Sequence, residues 1–100
     1  MTYNEMLKLM RENNVYGSQM YIAEELDFQL KMDETEVSQE RFEELCGAAY
    51  HAYIKSDSLD MFYICKAVAK LEQEYTAKGE NMLDQEGITR QIKEVAYTYY

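Results

Sequence analysis

Proline and tryptophan are absent from this chain of 100 residues, and glycine occurs only four times. Because proline and glycine are the residues that most often interrupt helices, their scarcity favours long helical segments. No uninterrupted apolar run approaches the roughly 20 residues that a membrane-spanning helix needs. The N-terminus shows neither the basic nor the apolar region of a signal peptide. A cytoplasmic protein without a membrane contact is therefore expected.

Cysteine and histidine, which are common in catalytic and metal sites, are also scarce. Cys46 and Cys65 stand among apolar residues, where a reduced cysteine packs as a small core side chain. The neighbours of His51 at helical spacing offer no partner, and Ala48 stands where the Glu-x-x-His metal motif needs glutamate. The glycines are isolated, and none begins the Gly-Lys-Ser/Thr sequence of a phosphate-binding loop. The sequence thus predicts no enzyme activity, no metal and no cofactor.

Acidic residues, by contrast, are abundant and unevenly distributed. The net charge is −9, and residues 24–44 alone contain nine acidic and two basic residues, a net charge of −7. This charge argues against direct nucleic-acid binding, because such binding depends largely on Lys and Arg contacts to phosphates. A basic protein surface is the more natural partner. Four glutamates of this segment are predicted to contact it: Glu36, Glu40, Glu43 and Glu44.

Two other uses of the acidic segment fit less well. Glu36, Glu40 and Glu44 recur every four residues and could collect a hard cation, but the loop that begins at Asp33 lacks the glycine and alternating ligands of a calcium-binding hand. A helix-turn-helix would need a gap of about three or four residues between its helices, whereas roughly ten residues separate them here. Its recognition helix would also carry glutamates that repel phosphate. A solvated acidic face is the simpler interpretation.

Tyrosine is unusually frequent, with ten copies. A small helical bundle cannot bury ten phenol groups, each with a hydrogen-bond partner, in one core. The cluster at the C-terminus is the sharpest signal, because tyrosine is enriched among the residues that dominate binding at protein interfaces. We therefore predict partner contacts from Tyr97, Tyr99 and Tyr100. The alternative is that tyrosines only cover the rim of a small core.

Apolar residues three and four positions apart predict an all-α fold, a compact bundle of four to five helices in a single domain over residues 1–100. Capping residues and glycines set the expected boundaries. The predicted helices are one from about Tyr3 to Asn14, a second from the Ser18 cap to about Leu26, a third over 39–55 with Ser38 as cap and Arg41 at its N3 position, a fourth from Ser56-Asp57-Ser58 to Lys78-Gly79, and a last one opened by Asp84.

Residues 26–32 carry an ambiguous pattern. Apolar and polar residues alternate without an error, which is the period of a half-buried strand. Ile22, Leu26 and Leu30 also fit a helix. We predict that the second helix ends near Leu26 and that a short extended segment at 27–32 lies on the core.

Three classes of function remain. A protein-interaction module, acting as a homo-oligomer or as a regulatory partner, needs only the surplus of tyrosine. An acidic inhibitor that mimics nucleic acid, of the antirestriction or anti-CRISPR type, would use the carboxylates of 24–44 in place of phosphates. An enzyme built around His51 has the least support. In composition, though in no motif, the chain is similar to many small acidic proteins of bacterial genomes and phages. The interaction module is our first prediction and the mimic is its alternative.

Overall fold

The computed structural model describes residue 12, residues 18–56 and residues 59–100. These residues form four α-helices and one 3-10 turn, and they contain no strand. The elements are α1 (Ser18–Met32), α2 (Gln39–Ile54), α3 (Met61–Ala77), the 3-10 turn (Met82–Asp84) and α4 (Ile88–Tyr97). The predicted all-α bundle is therefore confirmed, whereas the helix predicted from Tyr3 to Asn14 lies outside the described residues apart from residue 12. None of the helices in this described part is long and apolar enough to cross a membrane.

Helix α3 lies at the centre of the described bundle and packs against α1, α2 and α4. Arg41 at the start of α2 contacts Glu72 near the end of α3, so these two helices run antiparallel. Tyr75 donates a hydrogen bond of 2.7 Å to Gln91 Oε1 and joins the end of α3 to the first half of α4. The largest side chains of the shared core are fully buried, among them Phe42, Leu45, Ile64, Val68, Met82 and Ile92.

Two predicted helix ends are confirmed by their hydrogen bonds. Ser38 Oγ accepts a hydrogen bond from the backbone N–H of Arg41 at 3.1 Å, which is the expected N-cap of α2. Helix α3 ends at Lys78-Gly79, where Gly79 takes a left-handed conformation (φ 74°) and the Glu80 N–H bonds back to the Tyr75 carbonyl oxygen. Both signals are local, because each needs only residues within one turn of the helix end.

Two predicted helix starts are wrong. The predicted start of helix α3 is Ser56-Asp57-Ser58, of which 57 and 58 lie outside the described residues. Its N-cap is instead Asp60, whose carboxylate accepts a hydrogen bond of 2.8 Å from the Phe62 N–H. Asp84 lies in the 3-10 turn, which the Asn81 side chain caps and which buries Met82. Helix α4 begins only after Gly87, whose left-handed backbone (φ 74°) changes the direction of the chain.

The extended segment predicted at 27–32 is also wrong, because α1 continues without a break to Met32. Leu26 and Leu30 are fully buried on the same helical face, so the helical period decides the conformation. The helix then ends in two bonds typical of a left-handed C-terminal cap, Glu34 N–H to the Lys31 carbonyl and Thr35 N–H to the Leu30 carbonyl. The predicted loop at 33–36 follows as expected.

Replacing Gly47 with alanine is expected to stabilise the protein by about 1 kcal/mol, the helix-propensity difference between the two residues. Gly47 lies in the middle of α2, and apart from its chain neighbours and the backbone of its own helix, no atom lies within 4 Å of the position that an added Cβ would take. Urea unfolding measures the change. Gly79→Ala is the matched control, since its site is equally open but its φ of 74° strains any L side chain. Destabilisation by Gly47→Ala would contradict this description of α2.

Candidate partner-binding surfaces

The four glutamates predicted to contact a partner all lie at the N-terminal end of α2. Glu36 precedes the helix, whereas Glu40, Glu43 and Glu44 lie in its first turns, and all four are exposed. Glu43 accepts a hydrogen bond of 3.2 Å from Gln39 Nε2, and Glu44 lies 3.4 Å from Arg41 Nη1. The structure therefore gathers these four carboxylates at one exposed end of the helix, near the positive end of its dipole.

The two basic residues of segment 24–44 do little to offset this acidic end. Lys31 Nζ lies 2.8 Å from Asp27 Oδ2 on α1. The guanidinium of Arg41 donates two hydrogen bonds of 2.7 Å to the two carboxylate oxygens of Glu72, a side chain that is almost completely buried. Lys31 is engaged by Asp27, and Arg41 makes its shorter bonds to Glu72 and only a 3.4 Å contact to Glu44. With four carboxylates against this one shared cation, the exposed end of α2 keeps its negative potential.

The C-terminal tyrosines, the second predicted contact, pack on the start of α3. The Tyr63 ring lies 4.6 Å from the Tyr100 ring and 6.2 Å from the Tyr99 ring, measured between centroids, and Tyr97 lies 6.3 Å from Tyr100. These separations are typical of stabilising aromatic pairs. The tail is therefore part of the fold, and it holds the end of α4 against α3.

Two further contacts fix this tail. Tyr100 Oη accepts a hydrogen bond of 2.8 Å from the backbone N–H of Asp60, and Lys66 Nζ lies 4.4 Å from the centroid of the Tyr99 ring. Burial raises the pKa of the Tyr99 hydroxyl, as do nearby carboxylates to a smaller extent. Tyr97 and Tyr100 nevertheless remain 54% and 67% exposed. The structure thus uses Tyr99 internally and leaves the outer faces of Tyr97 and Tyr100 in contact with solvent.

Helix α1 carries an exposed apolar face that the sequence analysis missed. Tyr21, Phe28 and Met32 are 45%, 53% and 63% exposed. Their spacing of seven and four residues places them on one helical face, opposite the buried Leu26 and Leu30. We call these three residues the α1 stripe. Assigning 27–32 to an extended segment hid the stripe, because alternation places Phe28 on the same side as Leu26 and Leu30.

Carboxylates border the α1 stripe. Glu25 lies on the same helical face, four residues after Tyr21 and three before Phe28, and it accepts a hydrogen bond of 3.1 Å from Gln29 Nε2. The pKa of the Tyr21 hydroxyl is raised, first by partial burial of the hydroxyl and then by the Glu25 and Asp60 carboxylates. The negative charge of these carboxylates therefore reaches the Tyr21 end of the stripe.

His51 is exposed on α2, and its Nδ1 lies 3.0 Å from Thr89 Oγ1 of α4. Sequence spacing could not reveal this neighbour, because Thr89 belongs to a different helix. The contact joins two packed helices. Within the described residues, no group of three or more histidine, cysteine, aspartate or glutamate side chains is placed to hold a metal ion.

The two cysteines are free thiols, with Cys65 fully buried and Cys46 half-buried. Burial raises the pKa of Cys46 from 9.0 to about 12 and also raises that of Cys65. Neither thiol is thus activated as a thiolate near neutral pH. Both are expected to resist a thiol reagent such as Ellman's reagent at pH 8 in the folded protein and to react fully in denaturant. Rapid reaction of Cys65 in the native state would contradict its placement in the core.

The same shifts predict how stability depends on alkaline pH. The folded protein holds its thiol protons at a pH where the unfolded chain, with ordinary thiols near pH 9.0, has begun to release them. The stabilisation from the raised pKa values is therefore fully present below about pH 9 and is lost as the pH rises towards 12. Melting temperatures across this range are expected to fall less steeply for Cys46→Ala than for the wild type. Equal slopes would contradict the assignment.

Comparison with models of protein families, with curated proteins and with solved structures finds no match to this chain. The functional proposal accordingly depends on the surfaces described above.

Proposed function

We propose that this protein works by binding another protein and that the α1 stripe is the face that docks on it. The observation that carries this proposal is that two opposite faces of the same helix are both apolar, although only one of them is buried. One face of α1 is buried in the core, while the other keeps three large apolar side chains about half exposed. Aligned, exposed apolar residues of this size are typical of interaction sites, because burying them on binding is favourable.

Charge favours a different protein over a second copy of this chain. A symmetric contact through the α1 stripe would bring the Glu25 residues of two copies close together, and each copy carries a net charge of −9. Like charges facing each other across an interface are unfavourable. We therefore propose a regulatory partner role, in which this protein attaches to a larger protein rather than to itself.

The exposed tyrosines of the tail extend the proposed interface. Tyr97 and Tyr100 keep 54% and 67% of their surface exposed, which is comparable with the residues of the stripe. Tyr97 and Tyr100 offer large, amphipathic contact surfaces of the kind that interfaces favour. We assign them to the rim of the contact.

The free cysteines fit the reducing conditions of the cytoplasm, which is the location we propose.

Affinity capture with matched variants tests this function. The double variant Phe28→Ser/Met32→Ser removes most of the stripe, and Ile54→Ser removes an apolar side chain of similar exposure, 56%, on another helix. The amount of a captured partner should be similar for the wild type and Ile54→Ser, and it should fall by about tenfold or more with the stripe variant. If the stripe variant retains the same partner at the same level, the α1 stripe is not the docking face.

The acidic end of α2 supports the alternative function, an inhibitor that mimics nucleic acid. Its four glutamates are exposed together, and of the segment's two cations only Arg41 contacts one of them, Glu44, at 3.4 Å. Such an inhibitor would occupy a basic groove, and raised salt would release it. Binding lost on changing Glu36, Glu40, Glu43 and Glu44 to glutamine, but unaffected by Phe28→Ser/Met32→Ser, would favour the mimic over the interaction module.

A further inference from the structure

We infer that the partner presents a basic amphipathic helix, which lies along α1 with its apolar side chains on the α1 stripe and its Lys or Arg side chains against the bordering carboxylates. This inference rests on the proposed function and adds the chemistry of the partner. It depends on three properties of α1: the length of the stripe, its helical spacing and the sign of the charge around it.

The length and spacing of the stripe fit a helix. From Tyr21 to Met32, α1 rises about 16 Å, which is about three helical turns. The stripe is a ridge of residues at i, i+7 and i+11, a pattern that pairs with an apolar face of the same period on a second helix. An amphipathic helix of about 14 residues would span it. A single inserted side chain would contact only part of this ridge.

The charge around the stripe is negative. Glu25 lies in line with the stripe, and Glu34 is exposed just beyond its Met32 end. Within α1, the lysine is Lys31, whose Nζ lies 2.8 Å from Asp27 Oδ2. A helix that approaches with an acidic border would meet like charges, whereas Lys or Arg side chains would meet Glu25 along the ridge and Glu34 at its Met32 end. Electrostatic complementarity of this kind selects the partner and speeds its association.

Three labelled synthetic peptides of about 14 residues test the inference. The first is a Leu/Lys sequence with its leucines on one helical face. The second has the same composition in an order without that face, and the third has Glu in place of Lys. Fluorescence anisotropy at near-physiological salt measures their affinity for the full chain. We expect the first peptide to bind at least about tenfold more tightly than the second, although both carry the same charge.

Variants of the protein then locate the binding. Phe28→Ser/Met32→Ser should abolish the preference for the first peptide, whereas Ile54→Ser should keep it. Glu25→Gln should weaken binding of the first peptide by about threefold, because one carboxylate at the edge of the contact is lost. Glu80→Gln, a change at an exposed position after α3, is the matched charge control and should leave the affinity unchanged.

The remaining outcomes separate this inference from the proposed function. If the Glu peptide binds the stripe as tightly as the Lys peptide, the basic partner is wrong and the docking face stands. If no peptide responds to Phe28→Ser/Met32→Ser, the inference fails, while capture of a stripe-dependent partner would still uphold the proposed function. A dimer in sedimentation that this variant dissociates identifies a second copy as the occupant. A stripe variant that unfolds at clearly lower denaturant concentration indicates that the chain covers the stripe itself. Either of these last results overturns the inference.

Discussion

Replacing Arg41 with alanine is expected to lower the free energy of unfolding by about 3–5 kcal/mol. The guanidinium makes two hydrogen bonds of 2.7 Å to Glu72, and the Glu72 side chain is almost completely buried on α3. Removing the cation leaves a buried carboxylate without its partner, which costs far more than the loss of a surface ion pair. Denaturant unfolding followed by circular dichroism measures the change.

A second ion pair provides the control for this measurement. Arg90 and Glu94 lie 3.7 Å apart on α4, and both side chains are mostly exposed. Because water and salt screen such a pair, Arg90→Ala should change the unfolding free energy by no more than about 0.5 kcal/mol. If Arg41→Ala lowers the unfolding free energy by less than about 1 kcal/mol, the contact between Arg41 and Glu72 is not formed as described.

The second large effect is expected within α1. Leu30→Ala should cost about 2–5 kcal/mol, because the side chain is fully buried and its removal leaves a cavity in the core. Phe28→Ala, two residues earlier, should cost less than about 1 kcal/mol, because Phe28 is 53% exposed on the opposite face. The two variants should be compared in the same unfolding experiment.

This pair of variants distinguishes the helix from the strand that the sequence pattern also permits. In an extended segment at 27–32, Phe28 and Leu30 would share one face, so both substitutions would be costly. In a helix they point in different directions, and only Leu30→Ala is costly. Similar large losses from both would therefore contradict α1 as the structure has it, and with it the α1 stripe.

The parts of the fold that the sequence predicts correctly depend on neighbours in the chain. The Ser38 cap and the Gly79 end each involve residues within one helical turn, so their patterns are visible in the sequence. The apolar spacing of α2 and α3 is visible for the same reason. The alternation at 26–32 fits two periods, and only the packing of Leu26 and Leu30 against the rest of the core selects the helix.

The parts that the sequence does not predict depend on residues far apart in the chain. Asp84 resembles a helix start, but the turn caps itself through Asn81 and buries Met82. Nothing near Arg41 indicates that its partner is Glu72. The tail tyrosines fit a binding surface by composition, whereas the stacking of Tyr99 on Tyr63 is visible only once α3 and α4 are placed side by side. Composition alone cannot separate side chains used in the fold from those left for a partner.

The most direct test of the central claim is site-specific photo-crosslinking in cells that produce the protein. A photoreactive phenylalanine analogue at position 28 or 32 lies on the α1 stripe, and the same analogue at position 54 lies at a similarly exposed apolar position on α2. We expect a crosslinked product with a different protein from positions 28 and 32 and none from position 54. Products of equal yield from position 54, or products that contain only this chain, would contradict the claim that the α1 stripe docks a partner protein.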